Sequence, residues 1–177
     1  MQILMASIFF HPDAYTTTGR QVMGRHVAGE TFLKGFLRYR VSSELAIQVE
    51  DSSSIKVFNN CLEDWSIKAN CEFVDRRNIQ RLSKYGTSFY PGPALGQWAR
   101  IRSLYGDTQW SLTGITHTIA SDGAMDQIAD LAIAPLQPWD ALICTSSAVK
   151  SSVEILLERQ IDYLSHRFKA KRCPLPQ

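Results

Sequence analysis

One stretch of the chain, residues 110–144, decides the fold, and it reads WSLTGITHTIASDGAMDQIADLAIAPLQPWDALIC. A short apolar run at residues 110–115 precedes a helical pattern that begins near Ser121, and a second apolar run follows at residues 141–144. A helix between two strands makes the interval too long for a hairpin. The stretch therefore predicts a strand–helix–strand crossover and a parallel sheet.

The same alternation runs through the whole chain. Strands are predicted at residues 2–9, 45–49, 71–74, 87–90, 110–115 and 141–144. The helices between them are predicted at 20–40, from a serine cap at 52–54, at 79–84, from 95, from 121 and from about 147. Largely apolar strands are typical of a sheet covered on both faces. The predicted fold class is therefore α/β, with a doubly wound, mostly parallel, Rossmann-like sheet.

Composition and charge limit the domain organisation and the function. The chain has 177 residues, of which 45% are hydrophobic and 20% charged, as in a single soluble domain. We assign residues 1–165 to this domain and residues 166–177, HRFKAKRCPLPQ, to a basic, proline-containing linker. A formal net charge of +2 argues against a nucleic-acid partner. The tryptophans at 65, 98, 110 and 139 fall at helical or strand spacing and are predicted to lie in the core.

Cysteine usage and the first residues bear on localisation. Four cysteines lie far apart without a C-x-x-C pair, which argues against a zinc or redox motif and favours the reducing cytoplasm. The apolar start lacks the basic region and cleavage site of a signal peptide. The helix at 20–40 carries cations that either touch an anionic membrane surface or form an ordinary solvated face: Arg20, Arg25, Lys34, Arg38 and Arg40.

Candidate site residues follow the predicted strands, because ligands bind at the carboxyl ends of an open parallel sheet. Gly19 follows the first strand and begins a helix, where it could admit a phosphate group or simply make a turn. His117 follows the fifth strand between Thr116 and Thr118. Its imidazole could act as a general base or bind a sugar hydroxyl, or it could be satisfied by local backbone. The stretch Thr145-Ser146-Ser147 follows the sixth strand and is predicted to cap a helix.

Three stretches carry a resemblance to a known family: SIFFHPDAYTTTGRQVMGRHVAGETFLKGF at 7–36, WSLTGITHTIASDGAMDQIADL at 110–131 and PLQPWDALICTSSAVKSSVEILL at 135–157. They resemble the N-terminal half of a GT-B fold glycosyltransferase of the large retaining family four. Such enzymes have two Rossmann-like domains that face each other across a cleft. The N-terminal domain mainly holds the acceptor, and the C-terminal domain mainly holds the nucleotide-sugar donor.

The resemblance implies an acceptor-binding domain whose donor domain is missing and which is inactive alone. The whole enzyme, of hexosyltransferase type, would move a sugar from a nucleotide-sugar donor to a hydroxyl acceptor with retention, with no metal or other cofactor. His117 matches the family's functional histidine near the transferred sugar. The implied substrate-binding residues are Thr18, Gly19, Arg20, Thr116, Thr118 and Ser146. The family commonly shows two adjacent glycines where this chain has Thr18-Gly19, which weakens the phosphate assignment.

A function of another class fits the same pattern of strands and helices. A self-contained, non-catalytic flavodoxin-like binding or regulatory domain needs neither a partner domain nor His117. Peripheral membrane contact is compatible with either interpretation, and the sequence leaves the oligomeric state open.

Overall fold

The computed structural model describes residues 6–17, 24–40, 44–117 and 119–169. The chain divides into two compact units, Met1–Pro91 and Gly92–Gln177. Strands alternate with flanking helices in both units, and every described strand pair is parallel. The predicted α/β class with a parallel, Rossmann-like sheet is confirmed.

The first unit contains four strands in the order β3-β2-β1-β4. Its elements are β1 (Ala6–Phe9), α1 (Pro12–Tyr15), α2 (Gly24–Tyr39), β2 (Glu44–Gln48), α3 (Ser52–Asp64), β3 (Asn70–Val74), a 3₁₀ helix (Ile79–Tyr85) and β4 (Thr87–Phe89). In β1, Ile8 lies opposite Ile47 on one side and Phe89 on the other. The chain therefore adds β2 and β3 on one side of β1 and β4 on its other side. The carboxyl ends of β1 and β4 thus form a topological switch point.

The second unit pairs two strands in parallel. Its elements are α4 (Leu95–Ser103), β5 (Ser111–Thr116), α5 (Asp122–Asp130), β6 (Ala141–Cys144) and α6 (Ser147–Phe168). The register places Thr113 opposite Ala141 and Thr116 opposite Cys144. The two strands thus end side by side, and the residues that follow them share one edge.

The core of the first unit holds a group of aromatic rings. Phe10 stacks on Tyr15 with ring centroids 5.6 Å apart and meets Phe58 edge-on at 5.1 Å. Gly29 lets α2 approach α1 closely, because a Cβ at this position would overlap the carbonyl oxygen of Ala14. Burial of Tyr15 against this cluster explains why α1 forms between residues 9 and 20, where the sequence predicts neither a strand nor a helix.

Other sequence predictions differ in detail. The cap of α3 is Asp51, whose carboxylate accepts the Ser54 N–H at 2.9 Å, and not one of the serines that follow it. Trp139 is 47% exposed, so its predicted place in the core is wrong. Helix α6 continues through Phe168, so residues 166–168 of the predicted linker are helical. The remainder of that linker, from residue 170, lies outside the described residues.

Candidate functional site at the carboxyl ends of the strands

Two of the predicted site residues close strand β5. Thr116 is the last residue of the strand and is fully buried, and its hydroxyl donates to the carbonyl of Ile143 in β6 at 3.3 Å. His117 follows directly and is exposed to solvent. The buried hydroxyl thus ties the two strand ends together, and the exposed histidine lies directly after the end of β5.

Ser146 stands at the end of the neighbouring strand, one residue beyond Thr145. Its hydroxyl accepts the N–H of Val149 at 3.2 Å, so its predicted role as a helix cap is confirmed. Helix α6 has 22 residues and no acidic side chain in its first turn. Its amino terminus therefore presents partial positive charge near the end of β5. The structure brings Thr116, His117 and Ser146 to one edge of the second unit.

The remaining predicted residues cannot be placed beside them. Thr18, Gly19, Arg20 and Thr118 all lie outside the described residues. The phosphate-binding role of the first loop stays a prediction.

The first unit has a polar contact at its own strand ends that the sequence analysis missed. The Tyr90 hydroxyl, just past β4, donates to the side-chain oxygen of Gln48 at the end of β2 at 2.9 Å. Both side chains are 2% exposed, and they flank the carboxyl end of β1 between them. The sequence indicated this contact by placing a glutamine inside an apolar strand, because a buried glutamine side chain needs a hydrogen-bond partner.

Charged side chains at the same edge form only a long ion pair or hydrogen bonds to residues nearby in the sequence. The Nε2 atom of His11 lies 4.0 Å from a carboxylate oxygen of Glu50, and both side chains are well exposed. Hydrogen bonds from the Ser54 backbone and the Ser53 and Ser54 hydroxyls hold the pKa of Asp51 below its ordinary value. This carboxylate is therefore charged at neutral pH and committed to capping α3.

The second unit also buries an ion pair that the sequence analysis missed. Arg102 on α4 and Asp140 before β6 are both fully buried and lie 2.6 Å apart. Arg102 follows Leu95, Trp98 and Ala99 at helical spacing. Its place on the apolar face of a helix therefore indicated in the sequence that this arginine is buried. The pair serves the fold, since its contacts to Trp110 and Leu112 lie at the amino-terminal end of β5, away from the carboxyl edge.

A shallow depression of about 270 Å³ lies between α4 and α5, lined by Ala94, Gln97, Asp126, Gln127 and Asp130. Within the described ranges, no cluster of histidine, cysteine or acidic side chains could hold a metal ion. Among the helices that the structure describes, none has the length and apolar character needed to span a membrane.

Comparisons with known proteins were made at three levels. No family model, no curated protein and no solved structure matches the chain. The assignment of function therefore depends on the residues themselves.

Proposed function

We propose that this chain is the acceptor-binding domain of a retaining glycosyltransferase of hexosyltransferase type. The observation that carries the proposal is the exposed His117 directly after β5, at the carboxyl edge shared with the start of α6. Parallel α/β sheets bind ligands at this edge. An exposed imidazole there can accept a hydrogen bond from a sugar hydroxyl or take its proton.

The start of α6 would supply the electrostatic part of the site. Ser146 holds the N–H of Val149, while the first N–H groups of the helix have no partner within the helix itself. These groups and the helix dipole favour negative charge, such as that of a leaving diphosphate. Such stabilisation needs no metal ion. The nucleotide and its sugar would be bound mainly by a second domain, and the acceptor hydroxyl by this one.

Thr18, Gly19, Arg20 and Thr118 belong to the proposal on the resemblance alone. We also propose a cytoplasmic location, with peripheral membrane contact and no nucleic-acid partner. Burial raises the pKa of the Cys61 thiol and raises that of Cys71 to about 11, so both thiols stay protonated and unreactive. Thiols of this kind suit a reducing compartment.

The proposal is tested by titrating the isotope-labelled chain with UDP-glucose and with methyl glucoside while its amide resonances are recorded. We expect saturable shifts at Thr116, His117 and residues 146–149, with half-saturation in the millimolar range, and no consumption of UDP-glucose. The variant His117→Ala should lose these shifts. The matched control His166→Ala removes an exposed imidazole from the last turn of α6 and should keep them.

Two results would contradict the proposal. Shifts confined to other parts of the chain would show that this edge is not the site. Micromolar binding of a nucleoside diphosphate would favour the alternative, a self-contained flavodoxin-like binding domain, because such a domain closes its own pocket.

A further inference from the structure

Helix α2 has one buried side and one side that faces solvent. Gly29, Leu33 and Leu37 are buried against the first unit. The exposed residues define what we call the outer face of α2: Gly24, Arg25, Val27, Ala28, Thr31, Phe32, Arg38 and Tyr39. At 3.6 residues per turn they fall within one continuous arc of about 160°.

The outer face carries three large hydrophobic side chains that are exposed to solvent. Tyr39 is 84% exposed, Val27 51% and Phe32 41%. The Phe32 ring also rests on Phe89, with the ring centroids 4.7 Å apart, so it is held in position at the surface. Large apolar side chains gathered on one exposed surface mark an interaction site more often than single ones do.

The charge of the outer face is positive without a compensating carboxylate. The only acidic residue of α2 is Glu30, which pairs with Lys34 at 2.5 Å and accepts the Thr17 hydroxyl at 2.7 Å. Arg25 and Arg38 remain on the outer face, 13 residues apart and therefore about 20 Å apart along the helix axis. Within the described part of the chain, neither arginine has a carboxylate partner.

The structure narrows the set of cations that the sequence suggested for membrane contact. Lys34 lies over the Trp65 ring, 4.9 Å from its centroid, besides pairing with Glu30. Arg40 donates to the carbonyls of Leu37 and Lys68. Arg20 lies outside the described residues. Arg25 donates to Nε2 of His26 at 3.4 Å. Arg25 and Arg38 are therefore the two described cations of this set that are exposed and bind neither a carboxylate nor a carbonyl, with apolar side chains between them.

We propose that the outer face of α2 lies flat on a membrane that contains anionic lipids. Val27, Phe32 and Tyr39 enter the boundary between headgroups and acyl chains, while Arg25 and Arg38 bind lipid phosphates. A convex helix face suits a deformable lipid surface. This inference stands on α2 alone and does not rest on glycosyl transfer.

The test is co-sedimentation of the chain with vesicles of phosphatidylcholine alone or mixed with phosphatidylglycerol. We expect binding to the mixed vesicles only, weakened by high salt because exposed charges are screened. Arg25→Gln/Arg38→Gln should bind about tenfold to thirtyfold more weakly, since each interfacial cation is worth ~1 kcal/mol. The control Arg76→Gln/Arg77→Gln removes two exposed cations elsewhere in the same unit and should bind almost as the unmodified chain.

A second pair of variants tests the apolar part of the face. Tyr39→Ser should lower binding several-fold, while Leu104→Ser, which removes an 80% exposed side chain from the second unit, should not. Circular dichroism confirms that each variant is folded. Equal loss in the two arginine pairs, equal binding to both vesicle types, or no binding to either overturns the proposal. The last result would leave a protein partner as the ligand of this face. No sugar nucleotide is present, so the outcome tests the membrane contact proposed above and is independent of the proposed sugar transfer.

Discussion

Arg102 and Asp140 form an ion pair that is fully buried on both sides, joined by two hydrogen bonds of 2.6 and 2.7 Å. The guanidinium also donates to the Trp110 carbonyl at 2.9 Å. The carboxylate accepts the backbone N–H groups of Leu112 and Gln137, each at 2.8 Å. The pair therefore fixes the start of β5 and the loop before β6 to helix α4.

The variant Arg102→Met should destabilise the protein by about 3–5 kcal/mol, because it leaves the Asp140 carboxylate buried without its cation. Arg100→Met is the matched control on the same helix. Arg100 also pairs with an aspartate, Asp130, at 2.6 Å, but both side chains are partly exposed. That substitution should cost no more than about 1 kcal/mol. Urea unfolding of both variants measures the difference, and equal costs would refute the structural role assigned to the buried pair.

Two glycines of α2 should respond to alanine in opposite directions. A Cβ at Gly29 would overlap the Ala14 carbonyl oxygen, so Gly29→Ala should cost about 1–3 kcal/mol by forcing α1 and α2 apart. Gly35 has open space around the same position, so Gly35→Ala should stabilise the helix by about 0.5–1 kcal/mol. Thermal and urea unfolding decide it. A stabilising Gly29→Ala would mean that the two helices do not approach as described.

Glu72 should contribute to acid sensitivity. The Tyr85 hydroxyl donates to this carboxylate at 2.6 Å and is the main reason that its pKa lies below the ordinary value of 4.5, with Lys84 and Arg81 adding to the effect. A lowered pKa in the folded state means that the contribution is present above about pH 4.5 and is lost as the pH falls further. Glu72→Gln should therefore flatten the loss of stability between about pH 5 and pH 3.

The comparison for this variant is Glu63→Gln, at an exposed position on α3. For Glu63→Gln, the urea midpoint should change with pH across the acid range as steeply as it does in the unmodified chain. If Glu72→Gln shows that slope too, the contact with Tyr85 does not link folding to pH.

His117→Ala should leave the melting curve nearly unchanged, because substitutions of exposed residues usually change stability by no more than about 0.5 kcal/mol. In an enzyme that joins this chain to the proposed donor domain, the same variant should lose most sugar transfer. Loss of stability by 1–3 kcal/mol would instead identify a structural histidine with buried partners. Unchanged transfer would remove His117 from the proposed site.

The features that were predictable from the sequence are those set by local interactions. The apolar runs at 45–49 and 141–144 form strands because their apolar and β-branched residues favour extended backbone. Ser146 caps α6, as predicted, since a serine hydroxyl satisfies an N–H three residues along the same segment. The alternation of strands and helices then predicts a parallel sheet with His117 at the end of a strand.

Tertiary packing alone decided which residues meet and which face solvent. Trp98 and Trp110 are buried at 4% and 2% exposure while Trp139 is 47% exposed, although all three follow apolar patterns. Arg102 pairs with Asp140, 38 residues further along the chain, and Lys34 pairs with Glu30. Burial depends on how elements from distant parts of the chain cover one another. The free energy of a charged side chain depends on its burial and on the partner that the packing places beside it. Neither can be read from the local spacing of residues in the sequence.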